Sequence, residues 1–299
     1  MLHDAIVIGG SFAGLSAAMQ LARARRAVCV IDAGEPRNRF AAASHGFFGQ
    51  DGMAPRAMIA QARAKLLAYP SVRFVAARAT AAQAQEDGGF AVTLDIGESV
   101  RARKLLLAFG VQDGLPDIAG VRERWGASVL HCPYCHGYEF GGKRLGVLYR
   151  SPISVHQALL ISDWGPTTLF MNAEPIDDEA RERLLAKNVL IEPGAVHSLD
   201  GVGDALETIR LNEGRAVPID ALYVAPRIRP GSALGAQLGC AFDDGPLGPI
   251  IRTDAAKSTT VPGVYAAGDV ALLGHNATLA SADGVAAGVA LHQSLVFGH

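Results

Sequence analysis

Cys132-Pro-Tyr-Cys135 is the tetrapeptide with the most specific chemistry in the chain. C-x-x-C spacing puts two thiols within disulfide reach, and such a pair often holds one thiol below its free pKa of ~8.5. Four chemistries compete for it. Zinc would need a further ligand pair. Neither Cys29 nor Cys240 has a cysteine neighbour, and His131 and His136 adjoin the same turn, so no metal site is expected. Cys132–His136 also reads C-x-x-C-H, the haem attachment pattern. That chemistry belongs outside the cytosol, and the opening MLHD lacks the positive start of an export signal. Two inert buried cysteines are the plain alternative. Proline beside a cysteine is more typical of redox sites, so a redox-active pair is the favoured reading.

A second chemistry sits at the start of the chain. Gly9-Gly-Ser11-Phe12-Ala13-Gly14 matches G-x-G-x-x-G at Gly9 and Gly14, with Ser11 in place of the middle glycine. Gly9 permits the tight turn and Gly14 lets helix and strand pack closely. Backbone amides at the helix start can then hold a pyrophosphate. Asp32 follows Gly14 by 18 residues, where a ribose hydroxyl needs an acceptor. Near the other end, a short hydrophobic stretch closes on Gly268-Asp269. A carboxylate there can accept from a polyol chain, and Gly268 lets a ligand approach the backbone.

The elements that must position these residues read as α/β. The opening gives a strand at Asp4–Ile8, a helix from Gly14 to about Arg26 and a strand at Ala27–Ile31. A helix near Pro55–Ala68 follows, then strands near Val72–Ala76, Phe90–Ile96 and Val100–Phe109. A second α/β block has strands at Leu145–Tyr149 and Thr167–Met171 with helices at Ile153–Trp164 and Asp177–Lys187. A strand at Gly263–Ala267 and a helix from about Asn276 to Leu295 end the chain. That tail is too short to bury its own core and should dock on the first block. The expected layout is a discontinuous domain, 1–112 and 240–299, with a second domain, 113–239, inserted into it.

Length and composition agree. At ~150 residues per domain, 299 residues suggest about two domains. The chain holds 27 basic and 29 acidic residues, with 19% of residues charged. A nucleic-acid binder needs a concentrated basic face, so none is expected. No polybasic run of membrane-surface type is present either. Residues 5–22 are uncharged, but their Gly-Gly-Ser and Ala-Gly breaks read as strand, turn and helix rather than a membrane span. Four cysteines at this length make no disulfide framework, so a reduced cytosol is the default compartment.

Taken together, Gly9–Gly14, Leu105-Leu-Leu-Ala-Phe-Gly110 and Gly268-Asp269 resemble the two-dinucleotide-binding flavoproteins. Phe109 stands where that superfamily's strand has Thr. With the cysteine pair between the two halves, the chain resembles the low-molecular-weight thioredoxin reductases. The likeness extends over Leu115–Gly120 and His131–Glu139. It implies two Rossmann-like domains, FAD, a homodimer, and electrons moving between flavin, disulfide and a thioredoxin-like partner. It implies cofactor contacts from Ser11, Phe12, Ala13, the segment Asp32–Asn38 with Ala33, Arg37 and Asn38, His45, Gly110, Asp269 and Ala277 at the start of the last helix. It implies further that Cys135 faces the flavin while Cys132 exchanges with substrate. His136 occupies the position where thioredoxin reductases carry an aspartate general acid; an imidazole can shuttle protons near neutrality.

The resemblance fails at the expected NADPH turn. Gly146-Val-Leu-Tyr-Arg-Ser-Pro-Ile-Ser-Val155 has no glycine after Gly146, and Pro152 lacks an amide donor. The arginine cluster for a 2′-phosphate is also missing, and Asn172–Asp178 is acidic. This pattern resembles the dithiol oxidase branch, whose members close disulfides in gliotoxin and holomycin. That implies a small-molecule dithiol as substrate and oxygen as acceptor. An unusual thioredoxin reductase with another donor, and a non-enzymatic flavin redox sensor, are the other two readings.

Overall fold

Ala5–Ile8 carry no polar side chain and are buried on both faces, as a central parallel strand requires. In the computed structural model, which describes residues 2–86 and 88–298, they belong to β1 (Leu2–Ile8). The chain continues through α1 (Phe12–Arg23), β2 (Val28–Asp32), α2 (Pro55–Leu67), β3 (Val72–Ala76), β4 (Ala79–Ala84), β5 (Phe90–Leu94) and β6 (Ser99–Leu107). After β7 (Val111–Gly114) come β8 (Val129–Leu130), α3 (Pro133–His136), β9 (Leu145–Leu148), α4 (Ile153–Ile161), β10 (Thr167–Phe170), α5 (Asp178–Ala186) and β11 (Leu190–Glu192). An antiparallel trio follows: β12 (Val196–Asp200), β13 (Thr208–Leu211) and β14 (Ala216–Pro218). The rest is β15 (Ala221–Val224), β16 (Arg227–Pro230), α6 (Leu234–Gln237), β17 (Phe242–Asp244), β18 (Pro249–Ile251), β19 (Val264–Ala266) and α7 (Ala277–Phe297).

Two sheets carry the molecule. The larger runs β3-β2-β1-β6-β5-β4, with β19 pairing parallel to the C-terminal half of β6. The smaller runs β11-β10-β9-β15-β8, all parallel. The mixed α/β architecture with two Rossmann-like sheets is the fold class read from the sequence. Between them, β7 and β16 form a two-stranded ribbon. The tail docks as expected: β19 completes the first sheet, and α7 packs along α1. Leu234 and Leu238 also join the first core, ahead of the expected boundary at 240.

Strand and helix positions read from periodicity fall within a few residues of those observed. Helix Ile153–Trp164 stops at Ile161, and strand Val100–Phe109 stops at Leu107. β4 was not read, because Ala79-Thr-Ala-Ala-Gln-Ala has little β propensity. The β12–β14 trio was also missed; its strands are only three to five residues long.

Candidate active site

The sharp turn after β1 is fixed by what cannot fit there. Gly9 has φ +109°, and a Cβ on it would land on the Ala108 carbonyl. A Cβ on Gly14 would land on the Gly9 carbonyl, so β1 and α1 meet at backbone distance. Ser11 caps α1 without a side-chain hydrogen bond, and the first helical bond is Leu15 N–H to Ser11 O. The amides of Phe12, Ala13 and Gly14 lie ahead of that bond, at the positive end of the helix. The Asp32 carboxylate accepts the Gly10 amide at 3.0 Å, which ties the end of β2 to the turn.

These groups open onto a cavity of about 620 Å³, well within the range for a bound cofactor. It is lined by Gly9, Ser11, Phe12, Ala13, Asp32, Arg37, Asn38, His45 and Gly110 from the first half of the chain. Cys132, Cys135 and His136 line it as well, with Gly268, Asp269 and Ala277 from the last segment. Of the residues read from the sequence, Gly14 packs behind the turn, and Ala33 lines an adjoining cavity of about 460 Å³ that shares Gly9, Asp32 and Phe109. Arg37 is less a free ligand than a strut. Its guanidinium makes a bidentate pair with Asp113, at 2.5 and 3.0 Å, and its Nη1 reaches Asp269 Oδ2 at 2.9 Å. The second Asp269 oxygen is left for a ligand.

Cys132 and Cys135 are unbridged in this structure, and neither is fully buried. Cys132 is the N-cap of α3. Its thiol is pulled down to about 7, first because the Cys135 thiol donates to it, and further by the amides of Cys135 and Tyr134 and by Arg37; burial opposes this. Cys135 is pushed up by donating to Cys132, by burial and by the neighbouring sulfur's charge. Burial holds the His136 imidazole below its ordinary value, with Glu139 opposing, so it is neutral at neutral pH and can take a proton.

Two histidines beside the expected site residues are added by the structure: His131, weighed from the sequence only as a metal ligand, and His275. His131 and His275 both line the cavity. Burial pushes His131 down to about 4 and lowers His275 as well. The Nδ1 of each is buried and has no hydrogen-bond partner among the described residues. For His275, adjacency to Asn276 was the sequence signal.

The turn after β9, by contrast, bonds much of its own backbone. The Tyr149 amide donates to Phe170 O at 2.8 Å, the Arg150 amide to Ser154 Oγ at 3.1 Å, and the Ser154 amide to Ser151 O at 2.9 Å. Pro152 has no amide to give. The Arg150 guanidinium, a cation that could have compensated, donates to Gly114 O at 2.8 Å. Among the described residues, no group of three or more His, Cys, Asp or Glu is placed to hold a metal ion. None of their helices is long and apolar enough to cross a membrane.

Known proteins share this arrangement. Residues 3–284 match the family described as pyridine nucleotide-disulphide oxidoreductase. A protein named thioredoxin reductase tcpT, from Claviceps purpurea, is 33% identical over 282 residues, covering 89% of this chain and 86% of its own. One named thioredoxin reductase sirT, from Leptosphaeria maculans, is 30% identical, covering 96% and 92%. Among solved structures, an oxidoreductase from Agrobacterium tumefaciens superposes with a TM-score of 0.95 at 45% identity over the whole of both chains. HlmI superposes at 0.93 with 39% identity, covering 99% of this chain and 93% of its own. The cavity fits the FAD that such a family carries. Gly9, Ser11, Phe12 and Ala13 of the turn before α1 line it together with Asp32 and Asp269, and a Cβ on Gly9 or Gly14 would clash with the backbone that shapes that turn.

Proposed function

Because the chain belongs to the pyridine nucleotide-disulphide oxidoreductase family, and is an FAD-dependent enzyme of thioredoxin reductase-like type, we propose that it oxidises a dithiol to a disulfide with oxygen as acceptor. The observation that carries this reading is the turn after β9. Hydride transfer needs a nicotinamide held about 3–3.5 Å from the flavin. Holding it takes a pyrophosphate cradle, and in that turn the Tyr149, Arg150 and Ser154 amides are bonded internally while Pro152 has none to give. A dithiol needs no such cradle.

In this reading Cys132, the more acidic thiol, exchanges with substrate, and Cys135 stands on the flavin side. A substrate thiolate attacks the Cys132 sulfur of the oxidised pair and displaces Cys135. The second substrate thiol then attacks the mixed disulfide at the substrate's own sulfur, closing the substrate S–S bond and releasing Cys132. Neutral His136 accepts one of the two protons. FAD, when bound, supplies the two-electron acceptor that restores the cysteine disulfide and hands the electrons to oxygen as hydrogen peroxide. A homodimer is the assembly that the family resemblance supports, and the cytosol is the compartment that the cysteine usage supports. The second reading is reduction of a thioredoxin-like protein, which the names of the fungal relatives favour.

Anaerobic mixing of the holoenzyme separates the two. Dithiothreitol, as a probe dithiol, should bleach the visible flavin absorbance within seconds, and air should restore it with one hydrogen peroxide per dithiol. Micromolar NADPH should leave the colour unchanged over the same interval. Rapid bleaching by NADPH would establish an ordinary reductase instead.

A further inference from the structure

Asp283 is the only Asp, Glu, Lys or Arg on the 21-residue α7, and it lies on the buried face, 7% exposed. Its Oδ2 accepts the Gly268 amide at 2.9 Å, and its Oδ1 lies 2.6 Å from Lys257 Nζ. Lys257 is delivered by a strained turn. It sits at φ +62° inside a loop in which Asp254 Oδ1 accepts the amides of its two neighbours, Ala256 and Ser258, each at 2.9 Å. The Ala266 amide in turn donates to Lys257 O at 3.1 Å. One carboxylate thus joins the helix, the turn before β19 and the turn after it.

Burying a carboxylate is costly unless it is paired and hydrogen-bonded, and a buried ion pair is weak evidence for stability. Two apolar side chains would hold α7 to the sheet as well. They could not fix the Gly268 amide. Gly268 needs such a constraint: it has φ +79°, and a Cβ on it would come within 2.8 Å of Ala13 Cβ. No side chain can be used there to stiffen the turn, and the next residue is Asp269, whose carboxylate lines the cofactor cavity.

We infer that Asp283, with its charge balanced by Lys257, is a positioning residue for FAD, acting by locking the Gly268–Asp269 turn through the Gly268 amide. The inference rests on the FAD reading and is independent of the direction of electron flow.

The test follows FAD release from the diluted holoenzyme by the rise in free flavin fluorescence, beside the thermal midpoint of each holo variant. Asp283→Ala should weaken FAD binding by about tenfold or more, the scale of one charge-assisted hydrogen bond. Lys257→Met leaves the buried carboxylate without its cation and should also weaken binding. The double variant Asp283→Asn/Lys257→Met keeps an acceptor for the Gly268 amide and removes both charges, so it should bind FAD nearly as the parent does. Asp283→Ala/Lys257→Met removes the acceptor and should not recover. Equal FAD affinity in the two double variants would overturn the inference, leaving Asp283 a matter of charge balance alone. A shift in thermal midpoint with unchanged FAD release in Asp283→Ala would overturn it as well. A parent protein that carries no flavin would instead sink the cofactor reading.

Discussion

Cys132, pulled down to about 7, is half thiolate at neutral pH, whereas burial pushes Cys29 up to about 11. A lowered thiol pKa means that the reactive form is gained as pH rises through that value. Alkylation of the reduced protein by iodoacetamide should therefore accelerate at Cys132 between about pH 6 and 8 and then level off, while Cys29 stays unmodified; peptide mass spectrometry reads both sites. Cys132→Ser should also expose the second thiol's role. The hydrogen bond that Cys135 donates to Cys132, and the charge on that sulfur, are the two effects of Cys132 that keep Cys135 protonated. With Cys132 gone, Arg37 favours a Cys135 thiolate, and the holo variant should show a long-wavelength charge-transfer band. Cys135→Ser should show little. A band in Cys135→Ser alone would reverse the two roles. Either variant should reduce dithiol turnover to background, whereas Cys29→Ser and Cys240→Ser, both buried away from the cavity, should leave it nearly intact.

At the scale of elements, α7 and α1 cross where Gly284 and Gly288 face the backbone of Ala13 and Ala17. A Cβ on Gly284 would land on Ala13 O; one on Gly288 would stand 2.7 Å from Ala17 O. Backbone cannot yield as a side-chain tip does, so Gly284→Ala should cost about 1–3 kcal/mol, with Gly288→Ala costing less. Thermal melts of the two holo variants check the order. The same crossing aims the start of α7 at the cavity, which Ala277 and Asn276 line. Asn276 caps it, with Oδ1 accepting the Leu279 amide at 2.7 Å. An acid at Ala277 should lower the flavin reduction potential, because it offsets the positive helix end that favours the negatively charged reduced ring; an unchanged potential in a folded variant would mean that this end acts elsewhere. Asn276 is of a residue type that caps helices, and Gly284 and Gly288 stand four apart on one helix face, so these features were visible in the sequence. Asp283 was not, since nothing in Ser281-Ala-Asp-Gly284 says that the carboxylate turns inward to a backbone amide 15 residues earlier. Arg37 likewise sat in a segment read as cofactor-lining, and only the fold brings Asp113 and Asp269 to it.

Across the whole molecule, a tail too short for a core of its own pointed to the first block, where β19 pairs with β6 and α7 packs on α1, while the point where the chain crosses between sheets was not legible. Loop texture at Val111–Gly114 gave no hint of a strand, and its partner lies over a hundred residues later. That ribbon has a consequence for folding. Gly114 pairs with Arg227 and Val111 with Pro230, so the chain leaves the first sheet and returns to it side by side. The hydrophobic clusters respect this crossing. Two are built wholly from residues between Leu115 and Val224, one on each face of the five-stranded sheet. Two others combine residues before Gly110 with residues after Arg229. An antiparallel pair can be closed by a two-residue Asn-Gly turn. A chain in which Asn-Gly replaces residues 115–226 should therefore fold, since every partner of β19 and α7 is retained, and it should bind FAD more weakly because the Trp125–His136 wall of the cavity is gone. The excised segment 115–226 should fold by itself, being large enough to bury a core. Circular dichroism melts and flavin retention on gel filtration test both pieces. A cooperative transition in each is expected; a non-cooperative melt of the excised segment would mean that the smaller sheet depends on the larger one.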